Sequence, residues 1–116
     1  MVTTSPLTVE QFLEWSADLE HPYELIDGIP TRVPTERYLN TLIARLLSIK
    51  LLTIFEVEQL TTAIEVELDA GNTRIPDFCV VALATAGLLG DLTRAMIRSG
   101  TEPPLIAVEV VSPSKR

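Results

Sequence analysis

The chain has 116 residues, which fits one domain and is long enough to bury a core. An apolar fraction of 47% and a mean hydropathy of +0.29 exclude a disordered chain, and aromatics at 5% leave core building to aliphatic residues. Nine basic residues against 16 acidic ones give a net charge of −7, which excludes a broad basic footprint for nucleic acid but not a phosphate met through an intervening cation.

Thr8 to Leu19 is predicted as a helix. Thr8 and Gln11 have capping-box spacing, and Val9, Phe12, Leu13 and Ser16 share a face. Tyr23 to Asp27 and Ile29 to Val33 flank Gly28 and predict a hairpin. A second helix is predicted to follow Pro34-Thr35 and run to about Leu52. Its Leu39, Leu42, Ile43, Leu46 and Leu47 predict a buried stripe, while Tyr38, Ile49 and Leu51 widen the apolar surface toward a buried helix or an oligomer contact.

Ile54 to Val57 is a weak strand candidate. Thr62 to Leu68 alternates, with Ile64, Val66 and Leu68 predicted inward and Glu65 and Glu67 solvated, like Glu56 and Glu58. Ala70-Gly71-Asn72 predicts a turn. Arg74 to Leu83 and Leu105 to Val111 are nearly continuous apolar strands, as expected for strands covered on both faces. Between them, Asp91 is a candidate N-cap for a short helix, Leu92 to Ser99, stopped by Gly100. Ser112-Pro113-Ser114 has the pattern of a turn into a further helix. The element order predicts an α/β (α+β) fold, a mixed sheet sandwiched by helices.

Single copies of Cys79 and His21 exclude an internal disulfide, a multi-thiolate zinc site and chemistry on paired histidines. Cys79 is expected to be packing, and His21 a surface residue. Met1 to Trp15 lacks a basic start and an apolar h-region, and Phe78 to Leu89 is too short to span a bilayer. The expected setting is cytoplasmic, with no membrane partner.

Two acids interrupt the two most apolar strands: Asp77 in Ile75-Pro76-Asp77-Phe78 and Glu109 in Val108-Glu109-Val110. Burying either carboxylate alone is costly. Each needs solvent, a basic partner or a cation, and one divalent cation would satisfy both. Such an ion polarises a phosphodiester and activates a bound water. Plainer roles stay open: Asp after Pro is common turn chemistry, and Arg74 is an available partner for Glu109. Glu24, inside the apolar strand Tyr23 to Asp27, is a further candidate, whereas Asp27 before Gly28 fits a turn.

Tyr23-Glu24-Leu25-Ile26-Asp27-Gly28, Arg74-Ile75-Pro76-Asp77 with Val80-Val81, and Val108-Glu109-Val110-Val111-Ser112-Pro113-Ser114 together resemble the Uma-two family. These are restriction-endonuclease-like proteins of the PD-(D/E)xK nuclease superfamily. The resemblance covers the chain from about Thr8 to its end. It implies a restriction-endonuclease-like fold with a central mixed sheet flanked by helices. It also implies that Asp77 and Glu109 ligate Mg²⁺ or Mn²⁺, that the Val110 carbonyl is an additional ligand, and that Glu24 completes a catalytic set with Asp77 and Glu109. The implied reaction is metal-dependent hydrolysis of DNA.

The motif's third position is Val111 in place of lysine, leaving Lys115 and Arg116 as nearby cations, and Arg37 stands where the family often has histidine. The family pattern continues beyond this point, so residues 1–116 are expected to be the N-terminal portion of a single such domain. The competing expectation is a catalytically inactive nuclease-like remnant acting as an oligomerisation or protein-interaction module, with homo-oligomers expected. A third is a metal-binding domain acting on a small phosphate ester.

Overall fold

The structure is a computed structural model and describes residues 5–111. The turn into a helix predicted at Ser112-Pro113-Ser114 lies outside the described residues. Among those described, three α-helices combine with eight short strands in a mixed α/β fold, compatible with an α+β nuclease-like architecture.

Helix α1 (Val9–Ser16) starts where the capping box requires. Gln11 N donates to Thr8 Oγ1 at 3.2 Å and Thr8 N donates to Gln11 Oε1 at 2.9 Å, so two otherwise unpaired amides are satisfied. The helix buries Val9 and Phe12 and ends at Ser16, short of Leu19.

Strands β1 (Tyr23–Ile26) and β2 (Ile29–Arg32) form the predicted antiparallel hairpin. Its two turn residues, Asp27 and Gly28, have φ of 49° and 80°, the positive values that tight two-residue hairpins favour. Gly28 is fixed for a second reason: a Cβ built there would lie 2.4 Å from Pro6 Cβ.

Helix α2 (Tyr38–Leu51) has nearly its predicted bounds but not its predicted burial. Leu39, Ile43, Leu46 and Leu47 are exposed, and the buried residue of the helix is Asn40. Ala44, Ser48 and Leu51 are half-buried on that same side. A narrow stripe of Asn40, Ala44 and Ser48 with Leu51 faces the body, and apart from the half-buried Leu42 the other bulky aliphatics face out. The expectation of a buried leucine stripe is therefore corrected.

No strand forms at 54–57; a 3₁₀ turn at Val57–Gln59 leads instead into β3 (Leu60–Thr61). Strands β4 (Glu65–Asp69) and β5 (Asn72–Arg74) form a hairpin through the predicted Ala70-Gly71 turn. The long apolar run after Arg74 is not one strand. It divides into a link at 75–77, strand β6 (Phe78–Val80) and helix α3 (Leu83–Leu89). Alanine and leucine in ALATAGLL favour helix, and apolar continuity alone cannot separate the two states. The helix predicted at Leu92–Ser99 is absent; strand β7 (Met96–Ile97) lies there, parallel to β4. Strand β8 (Ile106–Val108) pairs antiparallel with β6.

The strand pairing gives three small sheets, in the orders β1-β2, β3-β6-β8 and β5-β4-β7. Within these orders β6 is central, whereas β8 lies at an end and is only partly buried. One apolar cluster joins Ile64, Val66, Cys79, Val81 and Ile97; another joins Val9, Phe12, Leu25 and Met96. The hairpins are stitched together by Leu25 N to Thr73 Oγ1 at 3.0 Å and Gly28 N to Gly71 O at 2.8 Å. Among the described residues, no helix is long and apolar enough to cross a membrane.

Candidate acidic site beside helix α2

Asp77 ends the link between β5 and β6. Its main-chain N–H donates to Val108 O at 2.9 Å, and its Oδ2 accepts the N–H of Val110 at 2.5 Å. One residue thus extends the β6–β8 ladder first through its backbone and then through its carboxylate. Glu24 reaches the same link from β1, where its Oε2 accepts the N–H of Ile75 at 2.7 Å. Glu109 follows β8 directly.

These acids share one electrostatic field. Glu109 is pushed above the usual carboxylate range, first by partial burial and then by the charges of Asp77, Glu24 and Glu36. The last of these is not apparent from the sequence. Glu36 Oε1 accepts from Asn40 Nδ2 at 3.0 Å, and the same amide approaches Val110 O at 3.4 Å. Asn40 therefore links α2 to the segment carrying Glu109. A polar residue inside an otherwise aliphatic helix is the available signal for it.

The oxygen donors of Asp77 and Glu109 suit a hard divalent cation, and their crowding, which no ion pair among the described residues offsets, is what such an ion would relieve. Among the described residues, however, no three His, Cys, Asp or Glu side chains converge as a metal-binding group. The fit is to a cation held by one or two carboxylates and otherwise by water. Val110 contributes its N–H to Asp77, while its carbonyl faces the long contact from Asn40.

Two cavities flank the acids along α2. One of about 380 Å³ is lined by Glu36, Thr41, Arg45, Ser48, Asp77 and Phe78, among others. The other, of about 250 Å³, is lined by Glu36, Arg37, Asn40, Glu109 and Val110, among others. A third, mostly apolar space of about 490 Å³ reaches Glu109 from the side of Pro103 and Pro104.

The remaining polar candidates are structural in their contacts. Asp27 N donates to Asn72 Oδ1 at 2.9 Å in the turn. Arg74 does not pair with Glu109; its Nη1 donates to Leu25 O at 2.9 Å and Thr73 O at 2.8 Å. The buried Cys79 thiol is pushed up to about 11, mainly by desolvation and secondarily by the charge of Glu109. His21 is exposed. The solvated role expected of Glu65 and Glu67 is corrected. Glu65 is buried and takes Arg94 in a two-pronged pair at 2.7 and 3.0 Å. Glu67 accepts from Arg98 at 2.6 Å and from Ser99 N at 3.1 Å.

The fold and site define a mixed α/β domain with an acidic cluster at the end of its β6–β8 pair. The sequence matches the family model Uma2, described as "Putative restriction endonuclease", over residues 9–116, and the chain belongs to that family. The PD-(D/E)xK assignment is consistent with this membership. A comparison with curated proteins finds no match.

Proposed function

We propose that the protein is a metal-dependent endonuclease that hydrolyses DNA phosphodiester bonds at Asp77 and Glu109. The observation that carries this reading is the pairing of β6 with β8, which brings Asp77 within the field of Glu109 and raises the proton affinity of Glu109. A divalent cation held there, Mg²⁺ or Mn²⁺, would polarise the phosphodiester and lower the pKa of an attacking water.

The chain's own groups have separate tasks. Asp77 is oriented by the Val110 N–H, which fixes one oxygen and leaves the other available. Glu109 supplies the second carboxylate. Glu24 holds the link ahead of Asp77 through Ile75 N, so its task is positioning. The cytoplasm is the proposed setting, where Cys79 stays a thiol.

Nicking of supercoiled plasmid in Mg²⁺ or Mn²⁺ tests the proposal. Wild-type protein should nick it, and Asp77→Asn and Glu109→Gln should each lose at least ~100-fold. Equal nicking by all three proteins would reject the assignment.

The outward aliphatic face of α2 supports a second reading, association with another copy of the chain. Sedimentation should then show a dimer that Leu46→Glu dissociates. A monomer at all concentrations would remove this reading and leave the first untouched.

A further inference from the structure

We propose that Arg37, the N-cap residue of α2, and Arg45 within the helix grip backbone phosphates on either side of the Asp77–Glu109 site, so that a nucleic-acid strand lies along this helix. The inference rests on the nuclease reading above and adds the track by which an acidic protein holds a polyanion.

Three observations converge on these two residues. The first is how Arg74, Arg94 and Arg98 are used. Arg94 and Arg98 are in ion pairs with Glu65, Glu67 and Glu10, and Arg74 is tied to main-chain carbonyls. Arg32, Arg37, Arg45 and Lys50 are exposed and form no ion pair among the described residues, and of these four Arg37 and Arg45 line the cavities beside the acids.

The second is position. Arg45 shares the 380 Å³ cavity with Asp77, and Arg37 shares the 250 Å³ cavity with Glu109. The hydroxyls beside Arg45 turn back on their own helix: Ser48 Oγ donates to Ala44 O at 2.8 Å and Thr41 Oγ1 to Arg37 O at 3.4 Å. The guanidinium is thus the free donor on that wall.

The third is spacing. Arg37 caps the N-terminus of α2 and Arg45 lies in its third turn, a step of eight residues that spans about 12 Å along the axis and about 80° around it. They lie away from the outward stripe of Leu39, Ile43 and Leu46. A planar guanidinium suits phosphate oxygens at each end.

The test is binding of a fluorescein-labelled DNA duplex in Ca²⁺ buffer, followed by anisotropy across a salt series. Removing one cation from a phosphate lowers the slope of log K against log salt by about 0.9. Arg37→Ala and Arg45→Ala should each weaken binding several-fold on any sequence and reduce the slope by that amount, with Arg45→Lys retaining it. Lys50→Ala, also on α2 but lining neither cavity, should leave the slope unchanged. If the wild type binds and nicks DNA while both arginine variants keep its affinity and slope, the proposal is overturned and the nuclease reading stands. If the wild type neither binds nor nicks, the nuclease reading falls and this inference with it.

Discussion

The carboxylate of Asp77 accepts the main-chain N–H of Val110 at 2.5 Å, so the residue proposed to bind a cation also holds the segment that follows its neighbouring strand β8. Removal of the side chain and removal of its charge are therefore different experiments. Asp77→Ala leaves the Val110 amide without its acceptor and should cost about 1–3 kcal/mol of stability. Asp77→Asn keeps an acceptor oxygen and should melt closer to wild type while losing cation affinity. Denaturant melts of the two variants, read beside their nicking activity, separate structure from chemistry.

Glu109 carries a pH signature of opposite sign to a salt-bridged acid. Its proton is held more tightly in the folded chain than in the unfolded one, through burial and then the charges of Asp77, Glu24 and Glu36. Its stabilising contribution is complete below the ordinary glutamate range and is lost as pH rises through the raised value. Glu109→Gln should accordingly melt slightly above wild type at pH 7 and together with it near pH 4. The gain is small because the side chain is largely exposed and solvent screens the repulsion. Thermal melts across that pH range check the sign.

Glu67 runs the other way. Desolvation pushes its proton affinity up, but the Arg98 hydrogen bond, the Ser99 N–H and the Arg98 charge together outweigh it and leave the pKa lowered. This contribution is present above the ordinary glutamate range and fades as pH falls through the lowered value. Glu67→Gln should therefore destabilise at pH 7 and cost progressively less on acidification, in the same melts.

Gly28 is where backbone and packing demand the same residue. Its φ is 80°, a Cβ would lie 2.4 Å from Pro6 Cβ, and its N–H and C=O bond Gly71 O and Leu7 N at 2.8 Å each. Gly28→Ala should destabilise by about 2 kcal/mol or more. Gly87→Ala, with nothing within 4 Å of the new methyl group and a helical position, should be neutral or stabilising. Chemical denaturation of both variants tests the contrast.

Local chemistry is legible wherever a few adjacent residues decide the outcome. Thr8 with Gln11 announces the start of α1, and Asp27-Gly28 and Gly71 announce their turns. Partnerships distant in sequence are not legible in this way. Arg94 and Arg98 have the spacing of a helix face after an Asp91 cap, yet they serve Glu65 and Glu67 on β4, and the segment between them is the parallel strand β7. The aliphatic stripe of α2 has helical period, but period does not say which side meets the body, and Asn40 and Ala44 do. At the site, Asp77 and Glu109 stand out because apolar strands rarely carry acids. Asn40 is signalled only by its polarity within an aliphatic helix, and Glu36 and Arg45 are hidden because charged residues are ordinary before a helix and on its surface.

The most direct measurement is calorimetric titration of Mn²⁺ into chelator-treated protein, with Asp77→Asn and Glu109→Gln alongside. Saturable binding is expected in the wild type, abolished or weakened at least ~10-fold by both substitutions, with affinity rising as pH rises because the carboxylates must be ionised. No binding in the wild type, or binding indifferent to both substitutions, would contradict it.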